Sequence, residues 1–498
     1  MGKKLMEKDL LTRIHLLERQ LALASQKVKQ EDYGLIWMDV PESIEFEAAN
    51  KQPILREIKG KSIINSDGGP THLLIEGENY HGLSCLTRTH RKKIDLVYID
   101  PPYNTGNEGF AYNDKRMTDR FPDGKLVPKD HPLRDSRWIS FMYRRLMLAR
   151  DLLKETGKII ISIDDHELAH LILLCRKIFG ASNQVAVLPT IMNLKGNQDQ
   201  FGFAGTHEYT IIFARNIKKC RFNEFRLTES ELESWDEDEI GLFKKGAPLR
   251  ATGEEDRREH RKEMFYPILV KNDSVSTISK EEHARLRDKA SGKFNDAYLL
   301  NLIRQYQAKG YEVVLPFSGE NYGRWRWGFS EVSRRRLETD VIVKRTKSGI
   351  SLYKKQRPGI NELPSKKPKT LFYKPEYSSG NGTAQIRDIL GEKSFKNPKP
   401  VQLIKDLITL SVERNAIVLD FFAGAATTLQ ACLELNAEGF ALQSIICTNN
   451  EGAICSEITY PRAKKVIKGY RNARGQDVRG LGNSLVYLRT SFAGRKMK

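Results

Sequence analysis

The sequence predicts an α/β fold with a parallel sheet, and three observations support this prediction. Two short apolar runs, residues 94–99 and 416–419, each lead into an aspartate and are typical of buried strands. Helical patterns alternate with such runs in both the first and the last part of the chain. The chain has 498 residues, too many for one ordinary core, so we expect two or three domains.

The charge of the chain indicates a polyanionic partner. Lys and Arg number 82 against 63 for Asp and Glu, a net charge of +19. Such an excess favours nucleic acid, with a ribosomal or membrane-surface protein as the alternative. The six cysteines form no Cys-x-x-Cys pair and suggest neither a zinc site nor a disulfide framework. Because no apolar run has transmembrane length and no signal-peptide core is present, we expect a cytoplasmic protein.

The residues after the first of these strands carry the functional prediction. Asp100, Pro101, Pro102 and Tyr103 follow the apolar run 94–99. Open α/β sheets bind ligands at the carboxyl ends of their strands, and two prolines remove two backbone donors. A carboxylate, free carbonyls and an aromatic ring could hold the amino group of a base flipped out of a duplex. The alternative is an ordinary strand and a Pro-Pro turn, with Tyr103 in the core.

A second strand, turn and helix, residues 416–435, is typical of a nucleotide-binding cradle. Its strand ends at Asp420, and small residues form the turn before the helix begins. The backbone can approach a ligand closely at such a turn, and the helix N terminus favours an anionic group. The next strand, residues 440–447, leads to Glu451, where folds of this type hold ribose hydroxyls.

The other segments of the alternating region are strands and helices joined by two irregular stretches. Strands are predicted over residues 72–77, 157–165 and 207–214, and helices over residues 80–89, 138–153, 167–179 and from 401. Residues 33–65 are predicted to be irregular. The polar loop 104–132 is long enough to suggest a function, and we expect it to face DNA.

Two regions depart from the alternation. In the middle of the chain, basic clusters and aromatic residues predict a separate domain that contacts DNA, with a solvated mixed-charge domain as the alternative. Near the start, apolar residues from Leu10 to Val28 recur at spacings of four and three. They predict an amphipathic helix, either a subunit contact or a helix packed on its own domain.

With both motifs placed, the chain resembles amino-group DNA methyltransferases of the β class, in which the catalytic motif precedes the cofactor motif. It is more specifically similar to the modification (Mod) subunit of type III restriction-modification systems. The similarity covers residues 73–106, 138–153, 162–167, 206–209, 395–400, 418–428, 447–451 and 482–492. It implies a Rossmann-like S-adenosylmethionine-dependent methyltransferase fold with an inserted target-recognition domain and an N-terminal helix.

The resemblance also implies roles for particular residues and regions. The flipped base would be held by Asp100, Pro101, Pro102 and Tyr103. S-adenosylmethionine would be held by Lys399, Pro400, Asp420, Phe421, Phe422, Ala423, Gly424, Thr428 and Glu451, and no metal is implied. The implied domains are an N-terminal helix (1–32, a possible dimer contact), a catalytic half (33–216), a target-recognition domain (217–370) and a cofactor-binding half (371–498).

The implied function is site-specific methylation of adenine N6 in double-stranded DNA. The resemblance also implies a homodimer and a separate restriction (helicase-nuclease) subunit. An aspartate rather than a serine at position 100 favours adenine over cytosine N4. The alternatives are a recognition subunit with weak or lost activity, a cytosine-N4 enzyme and an RNA methyltransferase. A restriction ATPase is disfavoured because no Gly-x-x-x-x-Gly-Lys-Ser/Thr loop occurs.

One departure from the family pattern concerns the cofactor turn. The family commonly has Phe-Ala-Gly-Ser-Gly-Thr-Thr, whereas this chain has Ala425-Ala426 in place of Ser-Gly. If the second glycine needs a positive φ or close backbone approach, Ala426 weakens cofactor binding. If that position lies in the first helical turn, alanine is harmless. We expect the second case.

Overall fold

A computed structural model describes most of the chain and divides it into two compact units. The described residues are 35–40, 42, 44, 48, 51–105, 125, 127–128, 131–196, 202–288, 291–347, 349–358, 364–391 and 395–493. Residues 1–223 and 368–498 form one unit, here called the sheet unit, and residues 224–367 form the inserted unit. The predicted N-terminal helix and most of the predicted DNA-facing loop lie outside the described residues.

Strands and short helices alternate through the sheet unit, whereas strands predominate in the inserted unit. The strands are β1 (Gln52–Glu57), β2 (Thr71–Glu76), β3 (Ile94–Ile99), β4 (Leu153–Ile163), β5 (Gln184–Ile191), β6 (His207–Ala214), β7 (Phe225–Arg226), β8 (Asp236–Asp238), β9 (Gly241–Pro248), β10 (Ile268–Lys271), β11 (Ser274–Thr277), β12 (Glu312–Val314), β13 (Phe317–Ser318), β14 (Asn321–Tyr322), β15 (Val341–Thr346), β16 (Gly349–Gln356), β17 (Ser365–Lys366), β18 (Asn415–Asp420), β19 (Ala441–Thr448), β20 (Gly469–Arg471), β21 (Asp477–Arg479) and β22 (Ser484–Ala493).

The helices carry most of the apolar residues that cover the sheet. They are α1 (Asn79–Thr89), α2 (Leu133–Leu152), α3 (Leu168–Phe179), α4 (Glu229–Leu232), α5 (Lys280–Arg285), α6 (Asp296–Ala308), α7 (Glu331–Thr339), α8 (Ser379–Leu390), α9 (Val401–Ser411), α10 (Thr427–Ala437) and α11 (Tyr460–Lys468). None of these described helices is both long and apolar enough to cross a membrane.

The sheet unit is built on a nine-stranded mixed sheet. The strand order is β1-β22-β2-β19-β18-β3-β4-β6-β5. Neighbours from β22 to β4 run parallel, whereas β1 pairs antiparallel with β22, and β6 pairs antiparallel with both β4 and β5. The predicted α/β class and the parallel centre of the sheet are confirmed, and antiparallel strands complete both edges.

Helices cover both faces of this sheet, which explains its apolar strands. Successive residues of a strand point to opposite faces. On β2, Ile75 packs in one core with residues of α1, α2 and α3, and Leu74 packs in another with residues of α10 and α11. A strand buried on both faces needs a nearly continuous apolar run, and β3 and β18 have such runs.

One strand lies where the sequence predicted irregular structure. β1 occupies Gln52–Glu57 and pairs with β22 over its whole length, with Pro53 opposite Phe492. Pro53 lies within the stretch 33–65 that the sequence pattern predicts to be irregular. Because β1 is the edge strand of the sheet, it can tolerate a residue that lacks a backbone N–H, so the prediction was wrong at this position.

The inserted unit has antiparallel sheets and its own core. Its larger sheets have the orders β15-β16-β9-β8 and β11-β10-β12, and Ile268 and Leu337 lie in its core. Several of its basic side chains pair with acids inside the unit. Arg258 lies 2.6 Å from an oxygen of Asp296, for example. The basic clusters therefore overstate the charge that this unit presents to a partner.

Candidate active site

The two motifs lie at the carboxyl ends of neighbouring parallel strands. Val418 and Leu419 of β18 pair with Leu96 and Val97 of β3. This register brings the ends of both strands to the same edge of the sheet, so the segments that begin at Asp100 and after β18 leave it side by side. The carboxyl edge of a parallel sheet is the usual ligand site of open α/β folds.

The Asp-Pro-Pro-Tyr segment is fixed by contacts with α2 and α3. The indole Nε1 of Trp138 donates to the Pro102 carbonyl at 2.7 Å. Asn104 has a φ of +57°, which asparagine tolerates better than most residues. Its amide donates to Oε1 of Glu167 at 2.6 Å, at the start of α3. The second half of the segment and the residue after it are thus anchored to two helices.

Four polar side chains meet beside this turn, and we call them the catalytic cluster: Asp100, Tyr103, Glu208 and Lys399. The Tyr103 hydroxyl donates to Oδ1 of Asp100 at 2.7 Å. The Lys399 ammonium lies 2.7 Å from the Tyr103 hydroxyl and 2.9 Å from Oε2 of Glu208. It also lies 3.1 Å from Oδ1 of Asp100. One ammonium and one hydroxyl therefore bridge two carboxylates.

Burial and the two carboxylates set the charges of this cluster. Burial, with Asp100 and Glu208 nearby, holds the pKa of Tyr103 well above its ordinary value, so its hydroxyl stays protonated and donates. Burial also raises the pKa of Glu208, against the opposing effect of Lys399. Although burial lowers the pKa of Lys399, the two carboxylates outweigh it and the pKa is raised overall. Lys399 therefore stays cationic.

One oxygen of Asp100 remains available. Oδ1 is engaged within the cluster, whereas Oδ2 forms no hydrogen bond with any residue that the structure describes. The Asp100 side chain is 29% exposed, compared with 9% for Lys399 and 12% for Glu208. A carboxylate oxygen open at the carboxyl edge of the sheet can accept a hydrogen bond from a ligand.

At the end of β18, Asp420 has a different environment. Its Oδ1 accepts from the Phe422 N–H at 2.9 Å, and its Oδ2 accepts from the Thr428 hydroxyl at 2.6 Å. The residue is 3% exposed. Burial raises the pKa of Asp420 to about 7. Asp420 therefore closes the turn that follows β18 onto the first turn of α10.

The turn itself is held by carbonyl contacts from the segment that leads into α11 and from α11. The Thr459 hydroxyl donates to the Gly424 carbonyl at 2.6 Å, and the Arg462 guanidinium donates to the Ala425 carbonyl at 3.0 Å. Gly424 has a φ of +44°, and a Cβ there would lie 3.0 Å from the Phe395 ring. Glycine is required at this position for both reasons.

The next left-handed residue corrects an expectation from the sequence. Ala426 has φ +62° and ψ +32° and is the N-cap of α10, so it lies outside the first helical turn. The expectation that this position lies in the first helical turn was wrong. An L-residue in this conformation costs about 1–2 kcal/mol, because its Cβ approaches the following carbonyl oxygen. The hydrogen bonds that Thr459 and Arg462 donate to the carbonyls of Gly424 and Ala425 help to offset this cost.

The residues at this edge fit S-adenosylmethionine. Gly424 has no side chain to cover its backbone, and the small residues that follow it lead into the N terminus of α10. Glu451 follows β19, the strand next to β18, where a carboxylate can accept hydrogen bonds from ribose hydroxyls. Donors and acceptors of the kind that the ligand needs are therefore present on two adjacent strand ends.

A buried ionic network supports the turn from the other side. The guanidinium of Arg145, which is fully buried, donates to Asn79 Oδ1 at 2.6 Å and pairs with Glu78 at 2.9 Å. The Asn79 amide donates in turn to the Phe421 carbonyl at 3.0 Å. The sequence placed Arg145 on an amphipathic helix but gave no indication of this role.

Comparison with known proteins identifies the family. The N6_N4_Mtase family model, described as DNA methylase, matches residues 94–460, more than half of the chain. The chain belongs to the DNA methylase family. The matched segment includes Asp100 to Tyr103 at its start and the whole turn after β18 near its end.

Three curated DNA methylase relatives show the extent of the similarity. The chain is 37% identical over 446 residues to the type III restriction-modification enzyme EcoPI Mod subunit of Escherichia phage P1, covering 86% of this chain and 65% of that protein. It is 29% identical over 441 residues to the EcoP15I Mod subunit of Escherichia coli, covering 82% and 63%. It is also 29% identical over 406 residues to the type II methyltransferase M.KpnI of Klebsiella pneumoniae, covering 81% and 86%.

These DNA methylase relatives confirm the resemblance predicted from the sequence motifs. The chain spans less than two thirds of the length of both Mod relatives. The part that matches nevertheless covers most of this chain, including both strand-end motifs.

The structure gathers the predicted site residues into two groups. Asp100 and Tyr103 meet in the catalytic cluster, with Pro101 and Pro102 between them, and Lys399 joins this group rather than the turn after β18. The other predicted residues lie around that turn: Asp420, Phe421, Phe422, Ala423, Gly424 and Thr428. Pro400 precedes α9, and Glu451 follows β19.

The sequence analysis missed Glu208 as a site residue. It is the second residue of β6, and its Oε2 accepts hydrogen bonds from Lys399 and, at 3.3 Å, from Tyr103. A signal was available, because a carboxylate stands at the start of an otherwise apolar strand within a segment that resembles the family. Its partner Lys399 is 191 residues away, so the pairing could not be read from the sequence.

Proposed function

We propose that this chain is the modification subunit of a type III restriction-modification system. It transfers a methyl group from S-adenosylmethionine to N6 of an adenine in double-stranded DNA. The observation that carries this proposal is the register of β3 and β18, which puts the Asp-Pro-Pro-Tyr turn beside the Gly424 turn. Membership in the DNA methylase family and 37% identity to a Mod subunit support it.

In this proposal the catalytic cluster holds the target amine. Oδ2 of Asp100 accepts one N–H of the flipped adenine, and a backbone carbonyl beside the prolines accepts the other. Of the carbonyls of Asp100, Pro101 and Pro102, that of Pro102 accepts from Trp138, which leaves the other two among the residues that the structure describes. Two acceptors in the plane of the base direct the nitrogen lone pair out of conjugation with the ring. The Tyr103 ring offers a stacking surface.

The turn after β18 positions the methyl donor. S-adenosylmethionine, when bound, supplies a methyl group on a positively charged sulfur. Gly424 and its neighbours would hold this ligand through their backbone, and Glu451 would accept from its ribose. Asp100 would accept the proton that the target nitrogen loses when it takes the methyl group from the sulfur. The chain mainly orients the two reactants, which by itself is a large contribution to the rate.

Sequence recognition belongs, in this proposal, to the inserted unit. Residues 224–367 form a separate core outside the sheet that carries both motifs, as expected for a replaceable recognition domain. Replacing this segment with that of a relative should change the methylated sequence while retaining activity. An unchanged target after the exchange would place specificity elsewhere, for example in residues 104–132.

The assembly proposed is a homodimer that associates with a separate restriction subunit in the cytoplasm. It follows from the similarity to Mod subunits, whose names place them in restriction-modification enzymes. In such a dimer one copy could read the sequence while the other methylates. Mixing an Asp100 variant with a variant of the inserted unit should then restore the activity that each lacks alone. A monomeric mass at micromolar concentration, with and without DNA, would contradict this.

A second function is favoured by one observation. Ala426 has a left-handed conformation at the N terminus of α10, in the turn assigned to the cofactor. Strain at this position could weaken cofactor binding, leaving a DNA-recognition subunit with weak or lost methylation. Equilibrium binding of S-adenosylmethionine to the purified chain distinguishes the two functions.

The main test is the chemistry of the product. Purified chain is incubated with tritiated S-adenosylmethionine and with DNA or RNA from a host that lacks the gene, and modified nucleosides are separated. We expect label in N6-methyladenine from DNA. Label in N4-methylcytosine would revise the substrate base, label in RNA would revise the substrate class, and no label would overturn the proposal. Sequencing host DNA with and without the gene then gives the target sequence.

A further inference from the structure

The Lys399 ammonium lies in the catalytic cluster, although the family resemblance implied a contact with the cofactor. Its three nearest acceptors are the Tyr103 hydroxyl at 2.7 Å, Glu208 at 2.9 Å and Asp100 at 3.1 Å. The Lys399 side chain is 9% exposed and that of Glu208 is 12% exposed. Solvent therefore screens these charges weakly, and their mutual arrangement decides which of them remains available to a ligand.

The count of charges in the cluster shows what Glu208 contributes. Two carboxylates face one ammonium, so the cluster can carry one negative charge beyond the pair. Without Glu208, a buried ammonium would pair with Asp100 alone and neutralise the acceptor that the target amine needs. Without Lys399, two carboxylates bridged by the Tyr103 hydroxyl would repel each other, which disfavours the ionised form of both.

We infer that Glu208 and Lys399 are positioning residues for methyl transfer. Glu208 holds the Lys399 ammonium, and the shared ammonium offsets the repulsion between the two carboxylates and fixes Asp100 with Oδ2 directed to the target amine. This inference rests on the proposed function and adds to it a pair of residues that act through Asp100. Glu208 reaches the site from β6, an antiparallel strand that lies two positions from β3 in the sheet.

Two other titratable groups face the cluster and are unchanged in all of the variants. Asp420 interacts electrostatically with Asp100, and burial raises its pKa to about 7. Tyr98 also interacts with Asp100 and Glu208, but its own raised pKa keeps it neutral. Both residues are retained in every variant, so differences among the pH profiles report on the substituted residue.

The experiment measures single-turnover methyl transfer as a function of pH. Wild type, Lys399→Met, Lys399→Arg and Glu208→Gln are each mixed in excess with tritiated S-adenosylmethionine and unmethylated plasmid and genomic DNA. Rates are recorded from about pH 5.5 to about pH 9, which spans the shifts expected for a carboxylate beside another charge. Equilibrium binding of S-adenosylmethionine and thermal unfolding are measured for each variant.

The two neutralising substitutions should move the profile in opposite directions. Lys399→Met should raise the pH of half-maximal rate by about one unit or more, because an opposite charge is lost beside two carboxylates. Glu208→Gln should lower that pH and reduce the maximal rate about tenfold or more, because the ammonium then pairs with Asp100 alone. Lys399→Arg should retain the wild-type profile. The affinity for S-adenosylmethionine should change less than about threefold in all of them.

Lys405 provides a matched control on α9. Its ammonium also lies near two carboxylates, 2.6 Å from Glu438 and 3.1 Å from Glu434, and its side chain is 12% exposed. Lys405→Met should lower thermal stability without shifting the pH profile. A merely structural role for Lys399 predicts the same behaviour for Lys399→Met.

The outcomes separate this inference from the proposed function. Profiles that do not shift in an active wild-type background overturn the inference alone. An unshifted Lys399→Met profile with cofactor affinity weakened about tenfold or more would make Lys399 a cofactor contact, as the sequence suggested. A wild type that transfers no methyl group overturns both. If Lys399→Met does not fold, Glu208→Gln and Lys399→Arg decide by the same measurement.

Discussion

The two strand ends of the candidate active site, those of β3 and β18, are held together by different interactions. At β3, the cluster around Asp100 joins charges from three distant segments and leaves one carboxylate oxygen open. At β18, Asp420 is buried, and both of its oxygens accept hydrogen bonds from the turn that it closes rather than pairing with a cation of the described part of the chain. The first end is organised by charge and the second by packing and backbone conformation.

This difference determines how each end should respond to change. Around Asp100, substitutions alter the charge that a ligand meets, so rate and its pH dependence should change more than stability. Around Asp420, polar groups are used to fix the backbone of a turn that contains two left-handed residues, Gly424 and Ala426. Substitutions there should change stability and cofactor affinity first.

The largest effect is expected at the charged end. Asp100→Ala removes the open acceptor and should reduce methyl transfer at least about 100-fold, the scale for loss of one electrostatic contact in a transition state. DNA binding, measured by fluorescence anisotropy, should stay within a fewfold of wild type. Tyr103→Ala should be milder, since stacking contributes about 1–3 kcal/mol per base. Near-normal turnover of Asp100→Ala would contradict the assignment.

The pH dependence of stability should reveal the buried carboxylate at the other end. The pKa of Asp420 is about 7 in the folded chain and about 4 when unfolded. Between these pH values the folded chain binds one more proton than the unfolded chain. The stability that the protonated Asp420 side chain provides is therefore fully present below about pH 4 and is lost as the pH rises toward 7. The free energy of unfolding of Asp420→Asn, relative to that of wild type, should therefore increase by a few kcal/mol as the pH rises from about 4 to about 7. A difference in thermal unfolding midpoint between Asp420→Asn and wild type that is the same at every pH would contradict this prediction.

A smaller effect is expected from the hydroxyl that holds the turn. Thr459→Val keeps the shape of a fully buried side chain but leaves the Gly424 carbonyl without this donor. The cost should be about 1–3 kcal/mol, together with weaker binding of S-adenosylmethionine. Thr459→Ser retains the hydroxyl and serves as the control. Equal unfolding midpoints for the valine and serine variants would show that the hydrogen bond contributes little.

The smallest effect tests the strained alanine and has an unusual sign. Ala426→Gly should stabilise the chain by up to about 1 kcal/mol, because relief of the left-handed conformation exceeds the entropy gained by the unfolded chain. Ala425 has no positive φ, so Ala425→Gly should instead destabilise the chain by about 0.5–1 kcal/mol. Denaturant unfolding of the two variants and calorimetric binding of S-adenosylmethionine measure both effects. A change in stability of the same sign in Ala426→Gly and Ala425→Gly would contradict this prediction.

Much of the fold and both motifs were predictable from the sequence alone. Strands β3 and β18 are apolar runs followed by turns of special composition, and period and composition are local properties. The order of the two motifs along the chain sufficed to indicate the family. Pro53 shows the limit of such reasoning, because whether a proline breaks a strand depends on whether the strand is at an edge.

Only the tertiary structure decided which side chains of the site contact one another. Glu208 and Lys399 are 191 residues apart. Nothing local to either residue predicts that the Lys399 ammonium contacts both Glu208 and Asp100. The backbone conformation of Ala426 likewise depends on where α10 begins relative to β18. The sequence determined which strands and turns form, because these follow from local pattern. The structure decided which charges meet, because that depends on the register and order of strands that are distant in the chain.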